Sequence, residues 1–221
     1  MNHHGVAALL LGCALLSCAR VSAGGLVPAD QEPLAAGQLL AKFASGEATD
    51  NEVVRLLASG ETASDRLDAI IEQLGDTLDV PLFVRQITSG RELVLEIDRS
   101  KVLDMAASRL SEAPDVHAVR IDRVEGVQRY WQDRLLLELA AGSDLARTAA
   151  LVNDERAAQT VQRQLSKRLR HAHYVVATQV ISPQRIALRI DLQATTLNLV
   201  KALQAQTYVE YAQPNFVATI N

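Results

Sequence analysis

The chain contains an internal repeat, and this feature limits its possible folds more than any other. Residues 91–122 align without a gap on residues 184–215. Equivalent pairs are Leu95 with Leu188, Ile97 with Ile190, Asp98 with Asp191, Leu110 with Leu203, and Val116 with Val209. Earlier segments that end at Gly46 and Gly142 also align, at an offset of 96 residues instead of 93, so the region between the two matches differs in length by three residues. A repeat of this length predicts two copies of one small domain, not a solenoid of short units.

Each copy carries the residue pattern of a β-hairpin. In the first copy, Leu93, Leu95 and Ile97 occupy alternate positions, and the second copy repeats this spacing. A period of two with one apolar face is typical of a half-buried strand. Turn-forming residues at 88–90 and 182–184 connect each of these strands to a preceding apolar segment. The pattern therefore predicts one antiparallel hairpin in each copy.

Helical segments flank the hairpins. Asp98 and Asp191 directly precede apolar residues at helical spacing, where a carboxylate can cap the N-terminus of a helix. Two equivalent acids could be mistaken for a catalytic pair, but their position favours capping. Further helices are predicted over residues 52–57 and 65–78 in the first copy, and over residues 145–169 in the second.

The predicted order of elements is β-α-β-β-α-β, twice. This order predicts an α+β fold of two tandem ferredoxin-like βαββαβ domains, each a four-stranded antiparallel sheet with helices on one face. The other face of each sheet would be bare, which implies a partner or the sister domain. The expected boundaries are a signal peptide at 1–23, a flexible tether at 24–36, a first domain at 37–125, a linker at 126–132, and a second domain with a C-terminal tail at 133–221.

The N-terminus has the composition of an export signal. Residues 6–16 form an apolar run too short to span a bilayer. Two processing sites remain open: residues 15–18 resemble a bacterial lipobox that would place a lipid on Cys18, and residues 21–23 suit an ordinary signal peptidase. We therefore expect an exported protein, either secreted or in the bacterial cell envelope. If Cys18 is modified, the lipid would anchor it in the periplasm or at the outer membrane.

Residue usage favours a protein without catalytic or cofactor chemistry. The net charge is -4 and no long basic run occurs, so a nucleic-acid partner is not expected. Both cysteines lie in the leader, which leaves no thiol metal site. His171 and His173 have no evident third ligand, and Tyr130 with Trp131 suits an inter-domain seal. The sequence shows no catalytic nucleophile with a general base at a recognisable spacing. We therefore expect no enzyme activity, no cofactor and no metal.

The end of the second copy resembles a known family. Residues 209–216 read VEYAQPNF, and residues 37–43 read GQLLAKF. Both are similar to the closing and opening strands of subtilisin-type protease propeptides, notably the fervidolysin-like N-terminal prodomain. The matching closing-strand positions are Val209, Glu210, Tyr211, Ala212, Pro214 and Asn215. Gln213 is a departure, because the family usually has an acid there.

The resemblance implies a specific role. Such propeptides chaperone and inhibit a subtilisin-like serine protease, with the sheet packed on two helices of the enzyme and the C-terminal tail in its cleft. Here that tail would be Phe216, Val217, Ala218, Thr219, Ile220 and Asn221. No motif of a serine protease follows, so a tandem duplication acting in trans is expected. The alternative is an envelope lipoprotein that serves as a structural or adaptor protein-binding module without a protease partner.

Overall fold

The computed structural model describes residues 34–122, 134–151, 155–169 and 176–216. The first copy contains β1 (Leu34–Phe43), α1 (Ala48–Ser59), α2 (Asp65–Leu78), β2 (Leu82–Ile87), β3 (Leu93–Ile97), α3 (Arg99–Ser111) and β4 (Val116–Asp122). The second contains β5 (Arg134–Leu139), α4 (Asp144–Ala150), α5 (Glu155–Arg168), β6 (Val176–Ser182), β7 (Arg185–Ile190), α6 (Leu192–Gln204) and β8 (Val209–Phe216). The predicted α+β class is confirmed, with two four-stranded antiparallel sheets in the described parts of the chain.

Both predicted hairpins are present, and the alternation of residues explains which side of each strand is buried. β2 pairs with β3 and β6 pairs with β7, both antiparallel. The alternate residues of β3 and β7, such as Leu95 and Leu188, are fully buried beneath the helices. Gly46 and Gly142, which the repeat alignment pairs, both adopt the left-handed conformation that a side chain would strain. The two copies therefore share their local geometry as well as their sequence pattern.

The two sheets exchange their closing strands. Sheet A has the strand order β2-β3-β1-β8, and sheet B has the order β4-β5-β7-β6. In each sheet, three strands come from one copy and the fourth strand comes from the other. The prediction that each copy would complete its own four-stranded sheet is therefore wrong. The correction concerns the source of the closing strand, since each copy still supplies one such strand at the expected position.

The helix that precedes each closing strand is exchanged with it. Helix α6 packs on β1 and β8 of sheet A, and α3 packs on β4 and β5 of sheet B. A buried hydrogen bond joins the copies, because the Gly37 backbone N–H donates to Thr196 Oγ1 at 3.0 Å. Gly37 has a φ of 89°, and a Cβ there would lie 3.6 Å from Leu192 in a strained backbone. One apolar core runs through both sheets.

The predicted caps mark the points where the chain crosses between sheets. The Asp98 side chain accepts from the Lys101 N–H at 3.1 Å, and the Asp191 side chain accepts from the Ala194 N–H at 2.9 Å. Each aspartate stands alone between a strand and a helix, with φ and ψ of -71° and 95° at Asp98 and of -76° and 94° at Asp191. The capping interpretation is confirmed, and the backbone has nearly the same conformation at the two caps.

The helix predictions differ in accuracy. The bounds of α2 match the predicted residues 65–78, and Ser64 caps this helix by accepting from the Leu67 N–H at 3.0 Å. The predicted helix at 52–57 is longer in the structure. The single helix predicted over 145–169 is wrong, because α4 ends at Ala150 and α5 begins at Glu155. Strand β1 begins inside the predicted tether.

Candidate partner-binding surface

Strand β8 carries the residues on which the family resemblance rests, and it forms an edge of sheet A. It runs antiparallel to β1, with Ala212 opposite Ala41. Val209 and Ala212 are buried against α6, whereas Phe216 at the end of the strand is 44% exposed. The structure therefore brings the predicted residues 209–216 together in one strand and places its last residue in solvent.

A chain of hydrogen bonds crosses the open face of sheet A, on the side away from the helices. Arg85 Nη1 donates to Glu96 Oε2 at 3.0 Å, and Gln38 Nε2 donates to the same oxygen at 2.8 Å. Asn215 Nδ2 then donates to Gln38 Oε1 at 3.0 Å. These four residues lie on β2, β3, β1 and β8 in turn. Asn215 therefore adds a side-chain link between β8 and β1 to the main-chain pairing of these strands.

Tyr211 joins the same edge strand to the β2–β3 hairpin. Its hydroxyl donates to Glu92 Oε1, and Thr88 Oγ1 donates to Glu92 Oε2 at 2.8 Å. These two donors stabilise the carboxylate, so the pKa of Glu92 lies below its usual range. The hydrogen bond to Glu92 in turn raises the pKa of Tyr211 to about 12. Nearby, Lys42 Nζ pairs with Glu210 Oε1 at 3.1 Å.

The Tyr211→Phe variant should be less stable than the parent, by about 1 kcal/mol at neutral pH, because Glu92 loses a donor. The raised pKa of Tyr211 gives a stabilisation that is complete below the ordinary value of 10.0 and lost as the pH rises towards 12. The variant should lack this alkaline loss. Urea unfolding at a series of pH values from 7 to about 12 measures both effects.

Tyr208→Phe is the matched control for this prediction. Burial alone raises the pKa of Tyr208, so removal of its hydroxyl should leave the stability at pH 7 nearly unchanged. Equal losses at pH 7 in the two variants would show that the Tyr211–Glu92 bond does not stabilise the edge strand.

Two buried acids on α1 were not singled out by the sequence. Asp50 accepts a hydrogen bond from Arg91, and this bond keeps its pKa below the usual range. Glu52 accepts from Arg55 Nη2 at 2.8 Å and from Ser64 Oγ at 2.7 Å, which lowers its pKa as well. Both side chains therefore remain carboxylates near neutral pH and are poorly suited to general acid catalysis. Asp50 and Arg91 are far apart in sequence, which is why no local pattern indicated the pair.

Several predicted features fall outside the described residues. These are Cys18, Tyr130, Trp131, His171, His173, the linker at 126–132, and the tail residues Val217, Ala218, Thr219, Ile220 and Asn221. They remain predictions. Within the described ranges, no three His, Cys, Asp or Glu side chains are grouped as metal ligands would be. None of the described helices combines the length and the hydropathy needed to cross a bilayer.

These observations define an α+β protein in which two repeats exchange a helix and an edge strand. No protein-family model, no curated protein and no solved structure matches the chain.

Proposed function

We propose that this chain binds a subtilisin-like serine protease, and inhibits it or assists its folding, through β8 and the residues that follow it. The observation that carries the proposal is the position of the VEYAQPNF string, which resembles the closing strand of protease propeptides. It forms an edge strand whose last residue, Phe216, is exposed. An exchanged pair of ferredoxin-like units is the proposed fold, since each sheet has the strand order of one βαββαβ unit.

An edge strand that is followed by a short tail is suited to product-like binding. Extended peptides add to the rim of a partner through main-chain hydrogen bonds, and their alternate side chains enter pockets. The hydrogen bonds of Tyr211 and Asn215 fix β8 before binding, which lowers the ordering cost. The first repeat then has a role in the proposal, because it supplies β1, β2 and β3 of the sheet that supports the tail.

Deletion of residues 218–221 should abolish inhibition of a subtilisin-like protease by the purified chain. The fold should persist, because these residues follow the last strand of sheet A. The measurement is the rate of hydrolysis of a chromogenic peptide at increasing concentrations of chain, with circular dichroism as the test of folding.

A scrambled tail is the matched control. The order Asn-Ile-Thr-Ala at positions 218–221 keeps the length and composition of the tail but changes which side chain meets each pocket. Inhibition should weaken at least about tenfold, the loss that misplacing one well-packed side chain causes. Undiminished inhibition by the deleted chain would rule out the product-like mechanism.

An adaptor protein of the cell envelope is a second candidate function. It is favoured by one observation, because Arg120 and Arg189 are exposed on strands β4 and β7 of sheet B. This function predicts no effect on proteases. Both candidates share the proposed export of the chain and the proposed lipid on Cys18, which mass spectrometry of the mature N-terminus would test.

A further inference from the structure

The duplicated fold allows the open faces of the two sheets to be compared position by position. The pairing registers of the two sheets agree. Leu40 lies opposite Gln213 and Val94 in sheet A, and its equivalent Leu136 lies opposite the equivalent residues Arg120 and Ala187 in sheet B. At four equivalent positions, an arginine of sheet B replaces a neutral or acidic residue of sheet A: Arg134 replaces Gln38, Arg185 replaces Glu92, Arg189 replaces Glu96, and Arg120 replaces Gln213. The charge changes in the opposite direction at two other positions, where Glu138 replaces Lys42 and Asp122 replaces Asn215, so the arginines of sheet B remain in excess.

The charges on sheet A are largely satisfied within the sheet, whereas those on sheet B are not. Arg134 Nε donates to Asp122 Oδ2 at 2.7 Å, and Arg185 Nη2 lies 3.3 Å from Glu138 Oε1. Arg120 and Arg189 are exposed, and neither forms an ion pair with any described residue. The face of sheet B therefore has an excess of positive charge on a chain whose net charge is -4.

Apolar side chains lie among these arginines. Ile181 is 52% exposed, and Leu136 is half-buried beside it. Both line a cavity of about 170 Å³ that Arg120 and Arg134 also line. Apolar surface bordered by arginines is typical of a protein-binding surface, because arginine is enriched among the residues that contribute most to binding.

We infer that the open face of sheet B binds a protein segment that carries carboxylates next to an apolar side chain. A guanidinium group presents a planar pair of donors that matches a carboxylate, so Arg120 and Arg189 would recognise the acids. The cavity at Ile181 and Leu136 would receive the apolar side chain. A nucleic acid has no apolar side chain to place there. This surface uses neither the tail nor sheet A, so its role is independent of the proposed inhibition.

The test uses the purified full chain and a synthetic amphipathic helix of about 20 residues, in which glutamates flank a row of leucines. Fluorescence anisotropy of the labelled peptide should show saturable binding that weakens as salt is added. The Arg120→Gln/Arg189→Gln variant should bind at least about tenfold more weakly, because both unpaired cations are removed.

The control variant Arg163→Gln/Lys201→Gln removes the same net charge from exposed positions on α5 and α6. It should bind the peptide as the parent does, and a peptide with lysines in place of the glutamates should not bind. The proposal is overturned if the peptide does not bind, if both variants weaken binding equally, or if duplex DNA or anionic vesicles bind the face more tightly. It is also overturned if sedimentation shows a dimer that only the Arg120→Gln/Arg189→Gln variant disrupts, because the occupant would then be a second copy.

Discussion

A disulfide should form between positions 41 and 212 in the Ala41→Cys/Ala212→Cys variant. These residues face each other across the β1–β8 pair, although they belong to different repeats. Directly opposite residues of antiparallel strands have Cβ atoms about 4.5–5.5 Å apart, close enough for a disulfide after a small adjustment. The bond closes a very long loop and should raise the free energy of unfolding by about 4 kcal/mol. Non-reducing electrophoresis and peptide mass mapping detect the link, in a chain whose native cysteines are replaced by serine.

The matched control is the Ala41→Cys/Val119→Cys variant. Val119 of β4 holds the position in the first repeat that Ala212 holds in the second. If each repeat closed its own sheet, Val119 would lie beside β1 and this second pair would cross-link. In the exchanged structure, Val119 lies opposite Leu137 of β5, so the control should remain reduced. Cross-linking of the control but not of the first pair would contradict the exchange.

The local elements of this fold could be predicted because their signals lie within a few residues of one another. Alternation at Leu93, Leu95 and Ile97 specifies a strand face, and a turn-forming segment specifies the hairpin. The caps at Asp98 and Asp191 could be predicted for the same reason, because a capping carboxylate bonds to a backbone N–H only three residues away.

The exchange of closing strands could not be predicted from the alternation of apolar residues. β4 and β8 share this pattern, so the apolar face of either strand fits either sheet. Polar contacts distinguish the two arrangements. Thr196 accepts from the Gly37 N–H, but the equivalent residue of α3 is Leu103, which has no hydroxyl. Tyr211 donates to Glu92, and its equivalent in β4 is Ala118.

The candidate surface was predictable only in part. The string at 209–216 identified the edge strand, but its hydrogen-bond partners Glu92 and Gln38 lie far away in sequence and in the other repeat. The arginines of sheet B form a group only because the strand order places β4, β5 and β7 side by side. Their signal was nevertheless present in the repeat alignment, where Arg185 and Arg189 replace Glu92 and Glu96.

Substitution of the fully buried Leu203 by alanine should destabilise the protein by about 2–5 kcal/mol, the cost of a cavity in a packed core. Because α6 covers sheet A, the destabilisation should be largest in strands of the first repeat. Native-state hydrogen exchange should show the largest decrease in protection at the amides of β1, with a smaller decrease in β5. In an arrangement without exchange, the opposite order is expected, since α6 would then cover its own repeat.

Leu110→Ala is the symmetric partner of this variant, because Leu110 is also fully buried and holds the equivalent position on α3. Helix α3 packs on β4 and β5, so this variant should reduce protection in β5 more than in β1. The two variants remove the same number of atoms from equivalent helices. Only the exchanged arrangement predicts that a cavity in the helix of one repeat lowers the protection of the hairpin and central strand of the other repeat. Equal losses of amide protection in both sheets would show that the sheets open as one cooperative unit. That result would contradict the prediction that each sheet depends on the helix supplied by the other repeat.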